Sequence, residues 1–250
     1  AFLSACAAYT VGAGLVQIYT ASENRLALQE LLPEAIISCY DSYDDSQLSH
    51  LLDWADVVCI GCGLGMGQIS EKILKNVLKN VSCPCVIDAD GLNLLSRNIE
   101  LLNQCCAPVI LTPHMKEMSR LTGWSIDMIM EDRFQALDQI IKQSGPDTKS
   151  SIICVLKDSR TVVAQTNRQR FVNLAGNNSM AKGGSGDVLA GTIAGLLAQH
   201  MAPFEATTVG VFLHACGGDE AKKSKGSYSV LARDLIQGMA DAMKNAKECR

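Results

Sequence analysis

The sequence has no excess of positive charge. Its 250 residues carry 22 lysines and arginines against 26 aspartates and glutamates, for a formal net charge of −4. The basic residues are scattered, so charge gives no case for a nucleic acid as the main partner. Long apolar runs are missing too. A stretch such as Val188 to Ala198 contains glycines and stops well short of a membrane span, so no membrane partner is expected. Ala1 to Val16 is apolar but lacks the charged leading segment of a secretory signal. Among the eleven cysteines, Cys83-Pro84-Cys85 and Cys105-Cys106 are not spaced as zinc pairs. The chain is also too long and too apolar to need a disulfide framework. Cys59 and Cys154 sit inside apolar runs, and buried thiols in a reducing cytoplasm are expected. No linker, low-complexity segment or repeat divides residues 1–250, which read as a single domain.

Strand-like and helix-like patterns alternate along the chain. Strands are expected at Leu15–Tyr19, Ala35–Ser38, Val57–Ile60, Cys85–Asp88, Val109–Leu111 and Ile152–Leu156, with a hairpin from Thr161–Ala164 and Arg170–Asn173. Helices are expected at Ala1–Val11, Ser70–Asn80, Met115–Thr122, Met128–Gln143, Gly186–Gln199 and Pro203–Lys222. Continuous β-branched runs separated by amphipathic helices predict an α/β fold with a mostly parallel sheet covered on both faces. The first helix has no strand before it. A βαβ unit normally begins with one, so a further strand is expected ahead of Ala1.

Ligands of open parallel sheets gather outside the carboxyl ends of the strands, and polar motifs follow several strands here. Gly61-Cys62-Gly63-Leu64-Gly65-Met66-Gly67 follows the third strand. Alternate glycines allow close ligand approach or a tight packing turn, but this is not a dinucleotide fingerprint. Asp88-Ala89-Asp90-Gly91-Leu92-Asn93 could hold a hydroxyl, a ribose or a metal-bound water, with Asn93 the preferred contact. It could equally be a helix cap and turn. In Thr112-Pro113-His114-Met115-Lys116-Glu117, Thr112 is the expected cap, which leaves His114 displayed at the sheet end. Lys157-Asp158-Ser159-Arg160-Thr161 joins two strands and offers two cations to phosphate oxygens.

The strongest signal is Asn173 to Gly191. Gly183-Gly184-Ser185-Gly186 stands directly before an apolar helical run and can form an anion hole from backbone N–H groups. The positive end of the helix dipole adds to it. Asp187 stands at the mouth of that helix as a base or a metal partner. Lys182 precedes the glycines, so this is not a Walker loop.

These motifs, in this order, resemble the ADP/ATP-dependent NAD(P)H-hydrate dehydratase family of the ribokinase-like superfamily. The resemblance rests on Gly12-Ala13-Gly14-Leu15-Val16, Gly63-Leu64-Gly65, the Asp88–Asn93 block, Leu111-Thr112-Pro113-His114 with Glu117-Met118, and Val155-Leu156-Lys157. It continues through Gly176-Asn177, Met180–Gly191, Leu213-His214 and Tyr228–Asp234, so it covers nearly the whole chain. It implies a three-layer α/β/α sandwich whose first strand and glycine-rich loop would precede Ala1. It implies that a nucleotide phosphorylates the hydroxyl of hydrated NADH or NADPH, and that phosphate is then eliminated to restore the cofactor.

By the same resemblance, Asp187 is the catalytic base. Gly65, His114 and Asp187 contact the hydrated dinucleotide, with Ala1 at the edge of a substrate-contact segment. Lys157, Asp158, Ser159, Arg160, Thr161 and Gly186 contact the adenine nucleotide, and Gly183, Gly184 and Ser185 neutralise its phosphates. ADP or ATP is the phosphoryl donor and Mg2+ accompanies it, although no metal ligand set is legible. A homo-oligomer, as large as a tetramer, fits the family. The sequence departs from the family pattern at Cys62, where Pro is common, and at Asp158-Ser159-Arg160, where small residues are usual. A ribokinase-like kinase for a small alcohol or vitamin precursor would share the anion hole and the aspartate. A non-catalytic nucleotide-binding module would keep the pocket alone.

Overall fold

The alternating patterns become helices and strands in a computed structural model that describes residues 1–143, 151–166 and 169–248. The order from the N-terminus is α1 (Phe2–Thr10), β1 (Gln17–Ala21), α2 (Arg25–Leu31), β2 (Ile36–Tyr40), α3 (Asp45–Trp54), β3 (Val58–Ile60), α4 (Gln68–Asn80) and β4 (Cys85–Ile87). There follow α5 (Ala89–Leu95), β5 (Val109–Leu111), α6 (Met115–Thr122), α7 (Ile126–Glu131), α8 (Arg133–Gln143), β6 (Ile152–Leu156), β7 (Val162–Gln165) and β8 (Arg170–Val172). The chain continues with α9 (Ser185–Ala198), α10 (Pro203–Ser229) and α11 (Ala232–Glu248). Two compact units result, Ala1–Asp41 with Asn173–Arg250, and Ser42–Val172.

The second unit holds a six-stranded sheet in the order β3-β4-β5-β6-β7-β8. The first four strands are parallel, and β7 and β8 add antiparallel hairpins. This is an α/β fold with a mostly parallel sheet flanked by helices, as the alternation predicts. Strands β4, β5 and β6 are buried along their whole length, which is why they read as unbroken apolar runs. Helix α4 shows how the cover forms. Ile73, Leu74, Val77 and Leu78 recur at helical spacing and are buried, while Lys72, Lys75 and Lys79 lie outside that apolar stripe. The ends of β3, β4 and β5 align, with Ile60 opposite Ile87 and Ile87 opposite Leu111. The loops after these strands therefore leave one edge of the sheet.

The first unit pairs β1 with β2 in a parallel two-stranded sheet of their own. Helix α1 packs on α9 through small residues. At Gly191 an added Cβ would lie 2.0 Å from the carbonyl oxygen of Ser4, so only glycine lets the two backbones meet there. Helix α9 is buried from Val188 to Leu197, and α10 and α11 pack on it and on each other.

Several expectations shift. The run Met128–Gln143 is two helices, because Asp132 leaves helical geometry (φ −143°, ψ 90°) and its carboxylate caps α8 at Gln135 N–H, 2.9 Å away. Helix α10 runs past Lys222 to Ser229, with a break at Gly226. No disulfide links the described cysteines, but burial is the exception among them. Cys85, Cys105 and Cys154 are buried, whereas Cys59 is exposed. No helix among the described residues is long and apolar enough to cross a membrane.

Candidate functional site

In the second unit the strand-end motifs converge on a buried charge network. Gly61 follows β3 with φ +118°, and an added Cβ would lie 1.9 Å from the Asp88 carbonyl oxygen. The loop after β3 thus lies against the turn after β4. Asp88 ends β4 at 1% exposure, and Ala89 after it holds a φ of +47°, uncommon for a residue with a side chain. Lys157, at the end of β6, points its ammonium at Asp88 Oδ1, 2.6 Å away, and lies 3.9 Å from Glu117 Oε2. Glu117 is 5% exposed, and burial pushes its carboxyl above the usual range, while the Lys157 ammonium pulls it the other way.

His114 sits beside this network as the N-cap of α6. Its Nδ1 accepts from the backbone N–H groups of Lys116 (3.0 Å) and Glu117 (3.2 Å). Its own backbone N–H donates to Glu117 Oε2 at 2.8 Å, completing a capping box. Two donors at Nδ1 need a lone pair there, so the proton of the neutral ring belongs on Nε2. Burial, and then the Lys157 ammonium, hold the imidazole below its ordinary pKa. The contact of Nε2 with Glu117 Oε1 at 3.4 Å therefore involves a neutral ring and is no full ion pair.

The capping role falls on His114 rather than on Thr112, which is fully buried and donates to the Ile87 carbonyl. The sequence held the signal: Glu117 stands three residues after His114, the spacing of a capping box, and five after Thr112.

The other expected contacts of this unit are placed as follows. Gly65 is exposed at positive φ, and its N–H donates to the Asp90 carboxylate at 2.8 Å, so Asp90 holds the glycine loop. Asn93 Oδ1 accepts from Arg120 at 2.6 Å. The turn from Lys157 to Thr161 is tied down by Arg133, which pairs with Asp158 at 2.9 Å and donates to the Arg160 carbonyl. Asp158, Ser159 and Arg160 are exposed, while the Lys157 side chain is taken by Asp88. The sequence reading missed Arg133, Arg120 and the Asp88–Lys157–Glu117 link. Nothing in linear spacing joins residues of α5, α6, α8 and the β6 end.

In the first unit the glycine cluster opens α9. Gly184, at φ +88°, is the N-cap of α9, and Ser185, Gly186 and Asp187 make its first turn. Asp187 is half-buried. The first N–H groups of a helix have no intrahelical acceptor, so this end offers donors and a positive dipole to an anion. Ser185 Oγ lies 3.3 Å from Nε2 of His214, a buried residue of α10. Ala1 is exposed ahead of α1.

Comparison with known proteins gives this arrangement its kin. The family model described as NAD(P)H-hydrate dehydratase matches residues 1–240. The chain belongs to that family. Among its relatives, the bifunctional NAD(P)H-hydrate repair enzyme Nnr of Moorella thermoacetica is 34% identical over 254 residues, 98% of this chain and 47% of the relative. The ADP-dependent (S)-NAD(P)H-hydrate dehydratase of Neisseria meningitidis serogroup B is 35% identical over 222 residues, 87% of this chain and 73% of the relative. The crystal structure of the ADP/ATP-dependent NAD(P)H-hydrate dehydratase of Bacillus subtilis, co-crystallised with ATP and Mg2+ and soaked with CoA, superposes with a TM-score of 0.80. It is 27% identical, with 98% of this chain and 86% of that one covered. The chain spans about half the length of the bifunctional relatives it matches.

Proposed function

We propose that the protein restores hydrated NADH or NADPH at the expense of an adenine nucleotide. The observation that carries this reading is the glycine turn opening α9, with Asp187 in the first turn of the same helix, in a chain of the dehydratase family. The terminal phosphoryl group of ADP or ATP passes to the ring hydroxyl, and the hydroxyl proton goes to the Asp187 carboxylate. Phosphate then leaves with loss of a ring proton, which restores the ring double bond. Backbone donors of Gly183, Gly184 and Gly186 balance charge on the moving phosphoryl group without reorganising, while the Ser185 N–H is given to the Lys182 carbonyl. Gly65, Asn93 and His114 contact the hydrated dinucleotide, His114 as a neutral Nε2–H donor, with Ala1 at the margin. Lys157 to Thr161 contact the adenine nucleotide, Lys157 through its backbone because its ammonium is held by Asp88.

The donor chemistry fits a nucleotide-bound Mg2+, which keeps several waters and needs only one or two carboxylates beside the phosphates. Asp187 is the half-buried carboxylate at the turn, whereas both oxygens of Asp219 already accept from protein donors. When bound, the ion would neutralise phosphate charge.

The test is incubation of hydrated NADH with the protein and ADP, and in parallel with ATP. The expected outcome is recovery of the near-ultraviolet absorbance of the reduced nicotinamide, with one free phosphate per cofactor restored. Accumulation of a stable phosphorylated alcohol instead would identify a kinase.

A further inference from the structure

Helix α10 bears on the chain that leads into the anion turn through one of its faces. His214, Ala215, Gly218 and Asp219 recur at helical spacing on that face. Asp219 accepts from two donors of the incoming chain. Its Oδ2 takes the N–H of Gly176 at 3.2 Å, and its Oδ1 takes Asn177 Nδ2 at 2.7 Å. Gly176 holds φ +94° with its Cα against Ala215, where an added Cβ would stand 3.2 Å from the alanine methyl. Asn177 turns its other side-chain atom inward, and Oδ1 accepts from the backbone N–H of Ser179 at 3.0 Å, which caps the short turn Asn178–Met180. The side chain of Met180 lies on Gly218, where an added Cβ would meet its sulfur at 2.4 Å. From that turn a run of backbone bonds reaches the helix: Lys182 N–H to the Met180 carbonyl at 2.8 Å, then Ser185 N–H to the Lys182 carbonyl at 3.2 Å.

We propose that Asp219, acting through Asn177, is a positioning residue for the nucleotide phosphates. It fixes the start of the segment whose far end presents the Gly183–Gly186 donors. Neither residue needs to touch the ligand. The role follows from the charged clamp: one carboxylate orients both a glycine amide at positive φ and the side chain that caps the next turn. The inference rests on the reading of Gly183–Gly186 as the phosphate turn.

The clamp can be reversed without losing a bond. Asp219→Asn alone places an NH2 group against either the Gly176 amide or the Asn177 NH2 group. Asn177→Asp alone sets two carboxylates face to face. When the two substitutions are combined, the amide now on α10 donates to the carboxylate now in the incoming chain and still accepts from Gly176. That carboxylate still accepts from Ser179. Calorimetric titration with ADP, in the absence of hydrated cofactor, reads the effect. Each single variant should weaken ADP binding on the order of tenfold, as expected for loss of a charge-assisted hydrogen bond. The double variant should recover most of that loss. Thermal midpoints should fall in the single variants and recover in the double, as loss and return of the bonds require, whereas the affinity for hydrated NADH without nucleotide should stay near the parent's in all three, a split that general loosening of the fold would not produce.

Unchanged ADP affinity in the single variants overturns the proposal, as does a double variant no better than the singles. If Asp219→Asn fails to fold, Asn177→Asp alone against the double variant makes the same comparison. Rescue of ADP binding in a protein that restores no hydrated cofactor would sink the dehydratase reading and leave the clamp standing. Turnover without rescue would do the reverse, and a parent chain that binds neither ADP nor ATP would overturn both.

Discussion

Replacing Lys157 with methionine should destabilise the chain far more than its place at a strand end suggests. The Lys157 side chain is 18% exposed, and it neutralises Asp88, at 1% exposure, with Glu117, at 5%, close by. Methionine keeps the stem and the packing but leaves two carboxylates facing one another without a cation. Removing one partner of a buried pair costs about 3–5 kcal/mol, chiefly because the remaining charge stays desolvated. Partial exposure of Lys157 places the expected loss near the lower end. For a chain of this length each kcal/mol moves the midpoint by about 2–4 °C, so a fall on the order of 10 °C is expected. Differential scanning calorimetry at neutral pH reads it. Asp88→Asn in the same background removes the stranded charge and should recover more than half of the fall, since neutral replacement of a whole pair is often close to neutral in stability. If the two substitutions were additive within about 0.5 kcal/mol, the pair would not be the unit that holds these strand ends together.

Asp187→Asn should preserve the fold and ADP binding yet lower turnover on the order of 10²–10⁴-fold, and near-parental turnover would remove Asp187 from the role of base. His114→Asn keeps a good helix cap but removes a titrating ring. Because burial lowers the His114 pKa, the neutral ring contributes stability that is fully present above the ordinary imidazole value and lost as pH falls through the lowered one. The parent's thermal midpoint should therefore drop more steeply than the variant's between about pH 7 and 5, and equal slopes would refute the assignment. Gly191→Ala gains about 1 kcal/mol of helix propensity but drives a methyl onto the Ser4 backbone. A net fall of about 5 °C in thermal midpoint is expected, and a rise would show that α1 and α9 have slack.

The contact of Gly191 with α1 and the charge network show where local signals end. The motif blocks, the alternation of strand and helix, and the anion turn before α9 are local properties. Burial of β4, β5 and β6 follows from uninterrupted apolar runs, and the Gly183–Asp187 turn from a glycine cluster ahead of an apolar helix. These were legible because each is written in adjacent residues. Two local readings still slipped. Thr112 looked like a cap because threonine commonly is one, but the strand carries it into the core and moves the helix start to His114. The run Met128–Gln143 looked continuous because its periodicity is, but the Asp132 carboxylate starts a new helix inside it.

By itself, then, the sequence determined the fold class, the order of the strand-end motifs, and the glycine turn that opens α9. Only the tertiary structure decided what Lys157 does with its charge, why His114 presents Nε2–H, and which carboxylate clamps the chain ahead of the glycines. The physical reason is distance along the chain. Lys157 meets Asp88 across 69 positions and Asp219 meets Asn177 across 42, and no periodicity or propensity operates over such separations. Such pairings arise where parallel strands end side by side, or where a helix folds back over a loop, and packing alone selects them.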